Sequence, residues 1–331
     1  MHHSHVYTLA DPYFYEAVIR ALNPKLIVTS KGDFHAQLTK IHLQRLWLQR
    51  GEEHLPRIMS AGVWPKGAAI IFHSDKEQGP IQVNGVEASP GEIVIHQPDD
   101  AFHLRTSGPF RFAAMSLPHG ELAMAGEAVA GRELKAPSDT CVIRPDPVSM
   151  SRLMDLHQAA GQLAGSAADT LAIPAIAKAL EQALVSAMVT CLTGHPQIKE
   201  RYCSGRHSRI IARFEDFLAA RRYEPVYVPE VCNSISVSER TLRACCHEHL
   251  GMGPARYLWL RRMHLARRAL LRADPQSGTV TGVATEYGFW ELGRFSVAYR
   301  GLFGESPSAS LHRPPDAALG RKEREKRGRP S

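Results

Sequence analysis

Two arginines three residues apart, Arg240 and Arg243, follow a serine at position 238. The planar guanidinium group of arginine presents a fork of donors that matches O6 and N7 of guanine in the DNA major groove. Ser238 is a natural helix N-cap, and the acidic Glu239 suits the positive end of a helix. These residues predict a helix whose first turns contact bases, with solvated arginines or phosphate contacts as the alternatives. The residues predicted to face DNA from this helix are Ser238, Glu239, Arg240, Arg243, Ala244 and His247.

The segments before this helix have the pattern of a helix-turn-helix. Pro229 fits the first turn of a short preceding helix, where the missing N–H of proline is not needed. Residues 234–237 then form a tight turn. Further upstream, apolar residues at helical spacing predict a helix from His207 to Arg222. In such a motif the second helix enters the major groove, with its N-terminal residues toward the base edges.

A long basic helix is predicted next, from Pro254 to Ala273. Its apolar residues recur at helical spacing, so one face of the helix is predicted to pack inward. Its arginines lie between two candidate DNA-binding units, which favours contact with phosphates. These arginines are Arg261, Arg262, Arg267 and Arg268.

The helix-turn-helix pattern then occurs a second time. A short helix is predicted over Val280 to Glu286, followed by a turn at Gly288, where a positive φ is needed. A second recognition helix is predicted from Glu291 to Phe303, and Gly304 ends it. Its residues predicted to be available to the groove or its rim are Glu291, Gly293, Arg294, Ser296, Val297 and Arg300.

The run RRALLRADPQSGTVTGVATEYGFWELGRFSVAYRGLFGESPSA resembles the signature region of the AraC/XylS regulators. It contains A-x-x-x-G-F followed by F-x-x-x-Y-x-x-x-F-G-x-x-P in register, and the resemblance extends over residues 210–311. It implies a transcription factor, more often an activator, whose two recognition helices address adjacent major-groove turns of duplex DNA. The family often has a polar residue and an arginine where Gly293 and Val297 stand, whereas the arginine here is Arg294. This leaves phosphate anchoring or contact with RNA polymerase as alternatives for the second helix.

Residues 33–118 have the pattern of short strands separated by Gly, Pro and Asp. Asn84-Gly85 is the favoured pair for a type I′ hairpin turn. We predict a cupin-like β-barrel here, followed by trailing helices near residues 150–163 and 173–192. In the second of these helices an apolar stripe recurs every four residues, which predicts either core packing or a homodimer seam. The stripe consists of Ile176, Leu180, Leu184 and Met188.

The resemblance implies that this barrel senses a small-molecule effector, which the sequence does not identify. The segment GEIVIHQPDDAFH approximates the second cupin motif, but the His-x-His and Glu of the first motif are missing. We therefore expect no metal, no cofactor and no catalytic residues. A cupin enzyme with an appended DNA-binding module and an architectural DNA binder without an effector remain the alternatives. The candidate effector-binding residues are Trp47, Phe72, His96, His103 and Arg105.

The charge of the chain is concentrated in its C-terminal part. Residues 1–200 contain 17 Lys and Arg against 20 Asp and Glu, whereas residues 201–331 contain 23 against 13. Six cysteines without a C-x-x-C pair, and the lack of a signal peptide or a long apolar stretch, are typical of a cytoplasmic protein associated with the nucleoid rather than with a membrane.

The sequence therefore predicts an α+β chain of two domains, a cupin-like β-barrel with trailing helices and an all-α tandem helix-turn-helix domain. The predicted divisions are an effector-binding and dimerisation domain at 1–195, a linker at 196–206, a DNA-binding domain at 207–313 and a disordered basic tail at 314–331. Within that tail, Lys326-Arg327-Gly328-Arg329-Pro330 resembles the core of an AT-hook, which binds the minor groove of A·T-rich DNA.

Overall fold

The computed structural model describes residues 3–19, 21–62, 67–96, 101–135, 137, 140–194, 197–201, 206–221 and 224–313. This part of the chain comprises a β-rich N-terminal domain and an all-helical C-terminal domain, as predicted. The predicted basic tail at 314–331, including its AT-hook-like segment, lies outside the described residues.

The strands belong to the N-terminal domain. In chain order they are β1 (His3–Leu9), β2 (Leu22–Val28), β3 (Ala36–His42), β4 (Trp47–Glu53), β5 (Arg57–Gly62), β6 (Gly67–His73), β7 (Ile81–Val83), β8 (Val86–Ala88), β9 (Ile93–His96), β10 (Ala101–Arg105), β11 (Phe110–Pro118), β12 (Cys141–Arg144) and β13 (Gln197–Arg201).

Neighbouring strands pair in antiparallel fashion and form two sheets. The larger sheet has the order β1-β3-β4-β11-β6-β9-β12-β13, and the smaller has the order β2-β5-β10-β7-β8. One buried apolar cluster takes side chains from both sheets, among them Met59 of the smaller sheet and Phe112 of the larger one. In the β7–β8 hairpin, Asn84 and Gly85 have φ values of 52° and 85°, so the predicted type I′ turn is confirmed.

The helices of the N-terminal domain are α1 (Pro12–Val18), α2 (His119–Ala130), α3 (Pro147–Ser166), α4 (Ala168–Leu171) and α5 (Pro174–Thr193). Helices α2, α3 and α5 cover the outer face of the larger sheet, where a second apolar cluster joins Phe72 of β6 to Leu153 of α3. The predicted trailing helices are thus present as an outer layer on the barrel.

Helix α5 packs against the barrel through one face. Leu184 and Met188 of the predicted stripe are buried, whereas Ile176 is 36% exposed. By length and composition α5 would also suffice to cross a membrane. Its buried carboxylate, Glu181, accepts hydrogen bonds at 2.8 Å and 3.0 Å from the backbone and side chain of Arg45, which fixes the helix against the barrel.

The segment from Gln197 to Arg201, assigned to a linker by the sequence, is strand β13 in the structure. It pairs with β12, with Cys141 opposite Arg201 and Arg144 opposite Gln197. The backbone of β12 offers a free edge for this pairing, and no local pattern in the segment reveals it. The barrel domain therefore extends beyond the predicted boundary at residue 195.

The C-terminal domain contains seven helices within the described residues. They are α6 (Arg206–Ala220), α7 (Val228–Ser234), α8 (Glu239–Leu250), α9 (Pro254–Arg272), α10 (Val280–Glu286), α11 (Leu292–Phe303) and α12 (Pro307–Leu311). The bounds of the predicted helices agree with these to within two residues. A single apolar cluster joins all seven helices, and Ile27 and Ile58 of the barrel also belong to it.

Candidate nucleic-acid interface and barrel cavity

The first helix-turn-helix consists of α7, a turn and α8. Pro229 lies in the first turn of α7, and Ser236 in the turn has a φ of 51°. Ser238 is the N-cap of α8, and its hydroxyl accepts a hydrogen bond from the backbone N–H of Thr241 at 3.1 Å. Leu242 and Cys245 are fully buried, which orients the opposite face of α8 outward.

The outward face of α8 carries the residues predicted to contact bases. Arg240, Arg243, Ala244 and His247 are all exposed. The guanidinium of Arg243 donates to the Glu239 carboxylate at 2.7 Å, one helical turn away. Arg240 makes no hydrogen bond or ion pair with any described residue, so its donor fork is available to a ligand.

The second unit repeats this construction with α10 and α11. Thr279 caps α10 by accepting a hydrogen bond from the N–H of Gly282 at 3.0 Å. Gly288 has a φ of 75° at the turn, as predicted. Phe295 and Tyr299 are buried, and together with Leu302 and Phe303 they anchor α11 in the domain core.

The exposed face of α11 differs chemically from that of α8. Val297 is 75% exposed, and open space surrounds the bare backbone at Gly293. Arg294 donates to Glu291 at 3.0 Å, and both lie in solvent. Ser296 is half-buried and Arg300 is exposed. An apolar side chain thus lies at the centre of this face.

Sequence reasoning missed one exposed residue at the second turn. Trp290 lies between α10 and α11 and is 73% exposed. A large aromatic side chain in solvent beside a recognition helix is a candidate contact for the sugar-phosphate backbone. Its position immediately after the G-F signature was the signal that could have identified it.

Two of the arginines predicted to contact phosphate have structural partners instead. Arg261 is only 9% exposed, and its guanidinium donates to the backbone carbonyls of Leu218 and Arg221, each at 2.8 Å. Those carbonyls lie at the end of α6, so Arg261 closes that helix onto α9. Arg262 lies over the rings of Tyr227 and Phe289, at 5.1 Å and 5.2 Å. Arg261 is therefore a buried structural residue, whereas phosphate contact by the half-buried Arg262 stays a prediction.

The next two arginines of α9 connect the two domains. Arg267 donates to Asp11 at 2.5 Å, and Arg268 donates to Glu16 at 2.5 Å. Both carboxylates are at α1 of the barrel domain, Asp11 as the N-cap and Glu16 within the helix. One turn further along α9, Arg272 donates to the hydroxyl of Tyr13. The C-terminal half of α9 therefore docks onto α1 through these three arginines.

His103 and Arg105, predicted as effector ligands, also lie between the domains. Nε2 of His103 is 3.3 Å from the Glu215 carboxylate of α6. The Arg105 guanidinium packs closely against Gly251, the C-cap of α8. Alternate residues of a strand face opposite sides, so Phe102 of β10 points into the barrel while these two point out of it.

The barrel encloses a cavity of about 340 Å³ between its two sheets. Of the predicted effector residues, Trp47 and His96 line it. Phe72 instead faces the outer helices, where its ring meets that of His157 edge to face with centroids 5.6 Å apart. Most of the lining is aliphatic or aromatic, and Ile19 and Ala21, which flank the end of α1, also contribute.

Comparison with known proteins adds to this geometry. The family described as "Helix-turn-helix domain" matches residues 231–313. A probable thc operon regulatory protein of Rhodococcus erythropolis is 42% identical over 100 residues, 30% of each chain. The XylDLEGF operon transcriptional activator 1 of Pseudomonas putida is 24% identical over 225 residues, 68% of this chain and 66% of that protein. This chain thus spans less than two thirds of the first relative and about two thirds of the second.

Among solved structures, the AraC-like transcriptional activator CuxR matches 80% of this chain and 96% of its own, with 13% identity and a TM-score of 0.42. The geometry of the two recognition helices and the family match define the class: the C-terminal part of the chain is a tandem helix-turn-helix domain. The predicted resemblance is confirmed, and this domain is of the AraC/XylS type.

Proposed function

We propose that this protein is a sequence-specific regulator of transcription that binds duplex DNA and responds to a small molecule in its barrel cavity. The observation that carries the proposal is the pair of recognition helices, α8 and α11. One face of each helix is buried in the domain core, and the N-terminal half of each is exposed. Exposed N-terminal residues of such helices are the ones that meet base edges. Arg240, whose exposed guanidinium is paired with no described residue, is the leading candidate for contact with a guanine.

The barrel contacts the far ends of both recognition helices. The tip of the β7–β8 hairpin packs against Glu248. Its Cγ lies 3.5 Å from where a Cβ atom would stand at Gly85. The carboxylate of Asp33 packs against Gly304, the C-cap of α11. A change in the barrel can therefore alter the relative placement of the two helices while their N-terminal halves remain free for DNA.

A second connection runs from the cavity to the helix that joins the two units. Ile19 and Ala21 line the cavity directly after α1. Helix α1 in turn holds α9 through Asp11 and Glu16. A ligand that displaces the end of α1 would loosen or tighten these ion pairs. Such a response requires two states to which the ligand binds with different affinity.

The proposal is tested by selecting bound sequences from random duplex DNA with the full-length protein at fixed salt. We expect one asymmetric site with two elements about one helical turn, roughly 10 base pairs, apart. Enrichment of no sequence, or only of A·T-rich tracts, would refute it and favour an architectural role. The Arg240→Ala variant, selected in parallel, should lose preference in one element alone.

We further propose activation rather than repression, a cytoplasmic location on the nucleoid, and contact with RNA polymerase. The names of the relatives in Pseudomonas putida support activation. Transcription in vitro from a promoter that carries the selected site, with purified RNA polymerase, tests it directly, since a repressor would lower the yield of transcript. Association into a homodimer stays a prediction, which sedimentation of the full chain with and without DNA can decide.

A further inference from the structure

The cavity of the barrel has a predominantly apolar wall. Its volume of about 340 Å³ is more than twice the roughly 150 Å³ that is known to hold benzene in an apolar protein core. One substituted ring, or two fused rings, therefore fits. Few of its described lining residues carry polar side-chain atoms, and these are Trp47, Gln49, Arg57, His96 and Ser116.

Arg57 is the cation among the described lining residues, and its charge is already neutralised. Its guanidinium donates to both carboxylate oxygens of Glu53, at 2.6 Å and 3.2 Å, and to the Leu104 carbonyl at 3.0 Å. Glu53 also accepts a hydrogen bond from Tyr15 at 2.6 Å. Arg57 and Glu53 are both fully buried. A ligand carboxylate here would place a second anion beside the buried Glu53, which costs more than a shared cation returns.

His96 brings a buried nitrogen without a partner to the wall of the cavity. The residue is 4% exposed, its Nδ1 has no hydrogen-bond partner among the described residues, and its ring packs on that of Phe102 with centroids 4.3 Å apart. Burial lowers the pKa of His96 to about 4, so the ring is neutral at pH 7. A neutral imidazole has one donor and one acceptor, and a buried ring nitrogen without a partner costs free energy. A hydrogen-bonding group on a bound molecule would remove this cost.

We propose that the cavity binds an uncharged, largely apolar molecule of one substituted ring or two fused rings, whose single hydroxyl, carbonyl or amide group contacts His96. Only the role of this molecule as an effector rests on the proposed function. Its binding to the barrel is independent of DNA and can be measured separately.

The test uses the full-length protein and three probes of similar shape: naphthalene, 2-naphthol and 2-naphthoate at pH 7. Binding is measured by the shift in the thermal unfolding midpoint and by tryptophan fluorescence, because Trp47 lines the cavity. We expect 2-naphthol to bind most tightly, naphthalene several-fold more weakly, and 2-naphthoate at least tenfold more weakly than 2-naphthol. Equal or tighter binding of 2-naphthoate, or no shift with any of the three probes, would overturn the proposal.

Two variants separate the contact at His96 from a general effect on the barrel. His96→Phe should bind 2-naphthol and naphthalene equally, because it keeps the ring and removes the hydrogen bond. His157→Phe is the matched control, since His157 is a buried histidine outside the cavity. It should keep the preference for 2-naphthol. If the probes bind in the expected order but DNA selection yields no site, the proposed function fails and this inference stands. If DNA selection yields a site but the probes do not bind in the expected order, the inference fails and DNA binding stands.

Discussion

At the scale of single residues, the two recognition helices present different chemistry to DNA. Helix α8 offers the exposed guanidinium of Arg240 and the side chain of Arg243, which donates to Glu239. Helix α11 offers Val297 beside the bare backbone of Gly293. Guanidinium groups match guanine, whereas apolar side chains match the methyl group of thymine. We therefore expect a guanine in the element bound by α8 and a thymine in the element bound by α11.

Replacing Arg240 with Ala should cost about 1–3 kcal/mol of binding free energy at the selected site. The loss of binding free energy should occur only on DNA that carries the guanine contacted by Arg240. On DNA with another base at that position, the variant and the original protein should bind alike, because the contact is absent in both. A double-mutant cycle over protein and base pair measures this coupling. Arg294→Ala, an exposed arginine already paired with Glu291, is the control and should show no such coupling. A uniform loss on all sequences would instead identify Arg240 as a phosphate contact.

Val297 can be tested with deoxyuridine, which differs from thymidine only by the methyl group. If Val297 packs on that methyl, deoxyuridine at one position should weaken binding about fourfold, the equivalent of roughly 0.8 kcal/mol for one buried methyl group. The Val297→Ala variant should bind both DNAs almost alike. An effect of deoxyuridine that persists in Val297→Ala would assign the methyl contact to another residue.

At the scale of elements, the short helix that precedes the second turn depends on local capping. Helix α10 has only seven residues, too few to be stable alone, and its N-terminus is closed by Thr279. This cap also orients the Gly288 turn and hence α11. The elements that place the candidate site are therefore the least stable ones in isolation.

Thr279→Ala should destabilise α10 by about 1 kcal/mol, because the Gly282 N–H loses its acceptor. Hydrogen exchange of the α10 amides in the full chain measures this local loss. Thr279→Ser keeps the hydroxyl and should restore most of the protection. If the alanine variant exchanges at the original rate, the cap is not what holds the helix.

At the scale of the whole molecule, the domains are joined by ion pairs between α1 and α9. Asp11, fully buried, is the N-cap of α1 and accepts from Arg267, which also pairs with Glu305 at 2.9 Å within the helical domain. Breaking a buried pair by removing one partner is costly, since the other charge stays buried. This junction is where the state of the barrel can reach the DNA-binding units.

Asp11→Asn should loosen the junction and change DNA affinity even without a ligand. Asparagine keeps an acceptor for the N–H of Tyr13, so α1 stays capped while the charge is lost. We expect the free energy of unfolding to fall by an amount on the order of 3 kcal/mol or less, because Arg267 keeps its second partner, Glu305. Hydrogen exchange in α1 should become faster. Glu305→Gln is the control, because that pair lies within one domain. Unchanged exchange in α1 together with unchanged DNA affinity would show that the junction has no regulatory role.

The stability of the whole chain should fall as the pH is lowered from 7 to 5. Burial lowers the pKa of five histidines, so each is neutral in the folded chain and takes up a proton on unfolding below its ordinary pKa of 6.5. The folded chain therefore keeps its full stability above pH 6.5 and loses stability as the pH falls toward the pKa values that the histidines have in the folded state. The loss reaches up to about 2 kcal/mol for each histidine at pH 5. They are His73, His96, His157 and His249, with pKa values of about 4, and His264, with about 3.

Glu16 acts in the opposite direction over the same range. Burial raises its pKa to about 7, so the folded chain holds this proton between pH 4.5 and 7 and gains stability as the pH falls. One carboxyl cannot offset five histidines, and the thermal unfolding midpoint should therefore drop between pH 7 and 5. A constant or rising midpoint would contradict the neutral state of the histidines. His157→Gln should make the unfolding midpoint depend less steeply on pH, because one of the five histidines no longer contributes.

The sequence by itself determined the local elements and the class of the C-terminal domain. Capping at Ser238, the turn at Gly288 and the Asn84-Gly85 hairpin depend on neighbours within a few residues, so their types suffice to place them. The tandem recognition helices follow from the same rules, because buried and exposed faces recur at helical spacing.

Only the tertiary structure decided which side chains meet across the chain. The phase of β10 directs His103 toward Glu215 and Phe102 into the cavity, and a strand pattern that is apolar on both sides does not reveal that phase. The pairing of Arg267 with Asp11 joins residues 256 positions apart, which no local spacing encodes. Basic residues that appear suited to phosphate thus hold the two domains together, because opposite charges are placed beside them by the packing of α9 on α1.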